Sequence, residues 1–90
     1  GAQFLTIELA IGKAWTAASL GHPTHMWNRL MRDPGYAPMG HIPRVVAVGG
    51  GHPLRLDGRL VGAIGVSGGS AEQDQDAGLA AIRAVGFDAP

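Results

Sequence analysis

The 90-residue chain has no cysteine, which excludes disulfides and thiolate metal sites. The absence of cysteine fits a cytoplasmic protein. It also has no charge of one sign in excess: seven basic and seven acidic side chains leave a net charge of zero. Without a basic stripe, nucleic-acid binding is not expected. No apolar run reaches the length of a membrane span, so no membrane contact is expected. No signal peptide, internal repeat or low-complexity tract is visible. No His-x-x-x-His or Glu-x-x-His pattern occurs, so a zinc enzyme is unsupported and no metal site is expected.

What the chain does have is apolar content, 46% of residues against 16% charged, with 15 glycines. A chain of this length makes at most one domain with a small core. Apolar surface in that proportion is expected to be hidden in a partner or an oligomer.

The stretch organising the rest runs over 59–74 and reads as strand, glycine turn and helix start. Leu60, Val61, Ile64 and Val66 are buried-strand residues, and Gly68 and Gly69 break the strand. Ser70 with Gln73 three residues on has capping-box spacing, and the helix is expected over 71–85 with Gly86 past its end. Gly62 and Gly65 lie inside the strand, where glycine marks the close approach of another backbone or of a ligand. Either a helix packs over one of them or a ligand lies against the sheet. The turn is neither a P-loop nor a dinucleotide fingerprint. Glu72, Asp74 and Asp76 in the first helical turns would repel a phosphate there.

Upstream, residues 1–5 read as extended, Thr6 as an N-cap, and 7–20 as a helix with Ile7, Ile11, Ala14 and Ala18 on its apolar stripe. Trp15 sits on a second flank, and such a helix is usually sandwiched. Thr24 can cap a short helix to about residue 32 with Met26, Trp27, Leu30 and Met31 on one face. A loop follows over 36–43, then a strand over 44–48. Asp57-Gly58 is a type I′ hairpin turn. A regular register from that turn opposes Leu54 to Val61 and His52 to Ala63.

Three side chains are candidates for chemistry. Lys13 is either a solvated charge or the partner of a ligand or carboxylate. Asp74 opens the buried stripe of the last helix, as a cap carboxylate, as a partner for Lys13, or as a buried acid in a pocket. His52 falls among small residues at the far end of the hairpin, as a structural histidine, an axial ligand or an acid–base group. His22 and His25 flank a turn three residues apart, either exposed separately or converging on one face. Four histidines without cysteine suit haem or a transient iron site better than a structural metal.

The helix over 7–18, the run Gly50-Gly51-His52-Pro53-Leu54, the Asp57-Gly58 turn and the run Gly62-Ala63-Ile64-Gly65-Val66-Ser67-Gly68-Gly69 followed by Glu72-Gln73-Asp74 together resemble the GlcG/HbpS-like family. The resemblance implies an α+β, profilin-like fold in which helices flank an antiparallel sheet. Several members bind haem or take part in its degradation, the same domain occurs beside cobalamin adenosyltransferases, and oligomers are common. Family members carry a helix and a strand hairpin before the residues present here. By resemblance, residues 1–90 are the C-terminal portion of one domain, completed by an N-terminal fragment or a second subunit. His52 is a departure, since the family usually has an apolar residue there.

The first functional expectation is therefore haem or tetrapyrrole binding, with His52, His22, His25, Gly62 and Gly65 as candidate cofactor contacts. The second is a cofactor-independent isomerase or lyase for a small apolar substrate, with His52 as acid–base group assisted by Asp74 or Lys13. The third is a structural or regulatory oligomer without a ligand.

Overall fold

The computed structural model describes residues 2–88. Three helices and one hairpin follow in the order α1 (Ala2–Leu20), α2 (Thr24–Leu30), a 3-10 turn (Ala37–His41), β1 (Gly51–Leu56), β2 (Arg59–Gly65) and α3 (Ala71–Val85). The two strands pair antiparallel, α1 lies across both, and α3 packs on β1. This is the expected α+β architecture of helices around an antiparallel sheet.

The hairpin turn has the backbone the sequence demanded. Asp57 and Gly58 both have positive φ, 52° and 79°, as a type I′ turn requires. Asp88 closes over it, its carboxylate accepting from the N–H groups of Asp57 and Gly58 at 3.1 and 2.8 Å. The register then departs from a regular ladder. Leu56 opposes Arg59 and Arg55 opposes Leu60, but Leu54 opposes Gly62 and His52 opposes Ile64. Val61 is the extra residue of a β-bulge and faces outward, so the expected pairs Leu54–Val61 and His52–Ala63 are each shifted by one.

Helix α1 begins five residues earlier than expected, so Thr6 lies inside it and does not cap it. Its buried face also differs. Ile7 and Ile11 are 56% and 59% exposed, while Gly12, Lys13, Thr16 and Ala17 are buried. The cause is the seat beneath the helix. Gly51 and Gly65 form a cross-strand pair, and a Cβ on either would collide with α1 backbone, at the Lys13 and Ala10 carbonyls respectively. Backbone contact that close leaves room for small side chains, the bulky Ile7 and Ile11 turn away, and Lys13 is buried by reaching Asp74. Gly12 repeats the theme, since an added Cβ there would lie 2.6 Å from Val46 Cγ2.

The strand expected over 44–48 is irregular backbone. Among the described residues it has no neighbouring strand, and side chains take its polar groups. Thr16 Oγ1 accepts from Val46 N at 2.9 Å, Asn28 Nδ2 donates to the Ala47 carbonyl at 2.9 Å, and Thr24 Oγ1 donates to the Val48 carbonyl at 2.6 Å. Thr24 is thus the first residue of α2, whose N-cap is Pro23, and its hydroxyl also accepts from Gly51 N at 2.8 Å. Of the stripe expected on α2, Trp27 is buried and Met26 is exposed. α3 matches its expected bounds, with a reciprocal Ser70–Gln73 capping box at one end and Gly86 at φ 85° at the other.

Candidate functional site

Two buried polar centres flank β1. The first joins α1, α3 and the glycine turn. Lys13 Nζ lies 3.1 Å from Asp74 Oδ2 and donates to the Val66 carbonyl at 2.9 Å. Asp74 Oδ1 accepts from Gly69 N at 2.9 Å. Lys13 is 2% exposed and Asp74 5%. Burial by itself would raise the carboxyl pKa. The Gly69 N–H and the Lys13 ammonium outweigh it, so Asp74 is held below its ordinary range and stays ionised. Gly50, at φ 128°, stands over the pair, and a Cβ there would crowd Val66, Asp74 and Lys13 together. Every strong group here has a partner inside the protein, which is the arrangement of a structural clamp.

The second centre is the imidazole pair. Alternation along β1 turns His52 away from the α1 side of Gly51, toward α3. It is 0% exposed. Its ring lies against Gly78, where an added Cβ would collide with it. Nε2 is 3.0 Å from the Gln75 carbonyl. A carbonyl only accepts, so Nε2 carries the proton and Nδ1 is the bare nitrogen. That Nδ1 is buried without a partner, as is Nδ1 of His25 on α2. The two rings are 5.9 Å apart, centre to centre. Both pKa values are lowered, chiefly by burial, with His25 opposing a charge on His52 and Arg29 opposing one on His25. No hydrogen bond joins His52 to Lys13 or Asp74, so the three residues expected to share one catalytic centre divide between two.

The remaining expected contacts are dispersed. His22 is exposed and lines a hollow of about 300 Å³ with Pro23, Met26, Pro53 and Arg55. His25 lines a different one, of about 190 Å³, with Asn28, Glu72 and Gln75. Gly65 is occupied on one side by α1, whereas Gly62 has only Leu54 Cδ1 near, at 3.8 Å. Sequence reasoning missed the roles of Gly50 and Gly78. The run Gly49-Gly50-Gly51 is the signal for Gly50, and the spacing of Gly78 four residues after Asp74 puts it on the same helix face. No helix among the described residues is long and apolar enough to cross a membrane.

Fold and interior together define a profilin-like α+β fold, its hairpin held between helices and locked by a buried Lys–Asp pair. The chain belongs to the HbpS-like family: the family described as "Haem degrading protein HbpS-like" matches residues 1–83. It is 43% identical over 88 residues to the corrinoid adenosyltransferase PduO of Salmonella typhimurium, covering 93% of this chain and 26% of that protein. It is 39% identical over 72 residues to an uncharacterised 15.0 kDa protein from the dhaT-dhaS intergenic region of Citrobacter freundii, covering 76% of this chain and 50% of that protein. Among solved structures it is similar to a haem complex of PduOC, with a TM-score of 0.85 and 40% identity over 96% of this chain and 64% of that one. The Klebsiella pneumoniae protein ORFY is similar at a TM-score of 0.78 and 34% identity, covering 84% of this chain and 55% of that one. The chain thus spans about a quarter of the PduO sequence and less than two thirds of these solved chains.

Proposed function

We propose that this chain is a haem- or tetrapyrrole-binding module. The observation that carries the reading is its likeness to the PduOC haem complex across nearly the whole chain. The residues around the His22 hollow suit that group. An exposed imidazole stands beside an apolar wall of Pro23, Met26 and Pro53, with the Arg55 guanidinium at its margin. One Arg55 N–H donates to the Gly21 carbonyl at 3.0 Å, which fixes the head, and its other donors suit carboxylate side arms. Bound haem supplies an iron centre. His22 would hold the iron through an imidazole nitrogen, Pro23, Met26 and Pro53 would give apolar cover, and Arg55 would meet the acidic groups. His52 has no exposed surface and its Nε2 is bonded to α3, so a group as large as haem does not reach it while α3 is seated on β1.

The same reading has a further polypeptide segment or a second subunit cover the apolar side of α1. Leu5 and Ile11 are exposed there, beside a hollow of about 300 Å³ that also takes in Leu9 and Val46.

The test is a titration of haem-free protein with haemin, followed by the Soret band. One haem per chain is expected at saturation, with at least a tenfold loss of affinity in His22→Ala. Absence of a saturable band would overturn the reading, and full retention by His22→Ala would overturn the assignment of His22.

A further inference from the structure

We propose that His25 and His52 form a buried two-imidazole site for a monovalent copper ion. Buried polar atoms without partners are rare and call for an unseen water, ion or functional role. Here two such nitrogens, both Nδ1, belong to neighbouring rings. The tautomer of His52 is already that of a metal ligand. Its Nε2–H donates to the Gln75 carbonyl, and a ligating histidine typically donates its other N–H to a carbonyl or carboxylate.

The spacing discriminates between geometries. With metal–nitrogen bonds of about 2 Å, two imidazoles on opposite sides of one ion have ring centres about 6 Å apart, and a tetrahedral angle brings them to about 5 Å. The observed separation is 5.9 Å, with the ring planes at 56° to each other, a tilt that a linear N–metal–N axis tolerates by rotation. Among the described residues no group of three or more His, Asp or Glu side chains could hold a metal ion. The site therefore offers two nitrogens and no third ligand from a His, Asp or Glu side chain among the described residues. Zinc, which takes four ligands, is poorly served. Imidazole suits copper, and Cu⁺ accepts two ligands in line. A single positive charge is also less costly to bury than a double one.

The hollow lined by His25, Asn28, Glu72 and Gln75 supplies a way in, with the Glu72 carboxylate there to attract a cation. His25 is only half-buried and lines this hollow, and the fully buried ring of His52 lies 5.9 Å from it, centre to centre.

The test loads haem-free protein anaerobically with Cu⁺ against a competing colorimetric chelator and measures copper per chain and the X-ray absorption edge. One copper per chain is expected, with the edge feature of linear two-nitrogen coordination. His25→Gln, on the half-buried side, should lose stoichiometric copper, and His41→Gln, in the exposed 3-10 turn, should keep it. Failure to compete with the chelator, equal copper on His25→Gln, or a copper shell of three or more ligands would each overturn the proposal. So would Zn²⁺ binding to both imidazoles where Cu⁺ does not bind. The edge measurement uses unaltered protein, so it decides the matter even if a histidine variant folds poorly.

Discussion

The two polar centres beside β1 differ in completeness: the Lys13–Asp74 pair is buried on both sides, and the fully buried His52 meets a half-buried His25. At Lys13–Asp74 the strong donors and acceptors meet partners from α1, α3 and the turn between β2 and α3. At His25–His52 one nitrogen is partnered and two are not. The first centre behaves as scaffold, because a buried pair with its hydrogen bonds made holds elements in register. The second leaves capacity unused, which in a native interior marks a place for something else.

Breaking the first centre should have the largest effect. Lys13→Met leaves Asp74 buried and unpaired, and a loss of about 3 kcal/mol in denaturant unfolding is expected. The double variant Lys13→Met/Asp74→Leu should recover part of it, because no orphaned charge remains. If the single variant unfolds like the native chain, the clamp carries no load.

The second centre should respond to volume more than to charge. Gly78→Ala drives a methyl into the His52 ring and should cost about 2 kcal/mol. His52→Ala in the same chain should relieve much of that loss, and simple additivity of the two in unfolding measurements would break the packing account. The cap on α3 lies at the Asp74 end, and Ser70→Ala should cost about 1 kcal/mol by removing its bond from Gln73 N.

The smallest expected effect is a slope with pH, and it separates the centres. His25 and His52 have folded pKa values below the ordinary 6.5. The unfolded chain therefore binds more protons once pH falls below 6.5, and stability should decline from there until the folded values are passed. Asp74, lowered from 3.8, contributes stability above that value that is lost only as pH falls further, through its folded pKa. Acid should thus destabilise in two stages. His25→Gln should flatten the upper one and leave the lower unchanged. A single stage near the carboxylate range would contradict the burial of the imidazoles.

Which of these features could be read from the chain follows from how local their causes are. Ser70, Gln73 and Gly86 define α3 through bonds to their own neighbours, and Asp57-Gly58 does the same for the hairpin. Those were legible. The bulge at Val61 shifts the partner of His52 by one residue, and nothing in the local pattern marks which residue is extruded. The buried face of α1 was misread because the apolar pattern favours Ile7 and Ile11, while the seat made by Gly51 and Gly65 selects small side chains. That selection acts between elements more than thirty residues apart. The Lys13–Asp74 partnership stood among the alternatives because helical spacing placed Asp74 on a buried stripe, but the choice needed the turn at Gly69. The separation of His22 from His25 stood among the alternatives, but the meeting of His25 with His52 had no signal in the sequence.

The division of labour among these histidines is tested most directly by following all four imidazoles in nitrogen-15 NMR as haemin is added to haem-free protein. Loss or displacement of the His22 ring signals first, with His52 and the Lys13 ammonium unmoved, is the predicted result. Early loss of the His52 signals with His22 unchanged would contradict it, and would place the ligand in the interior between β1 and α3.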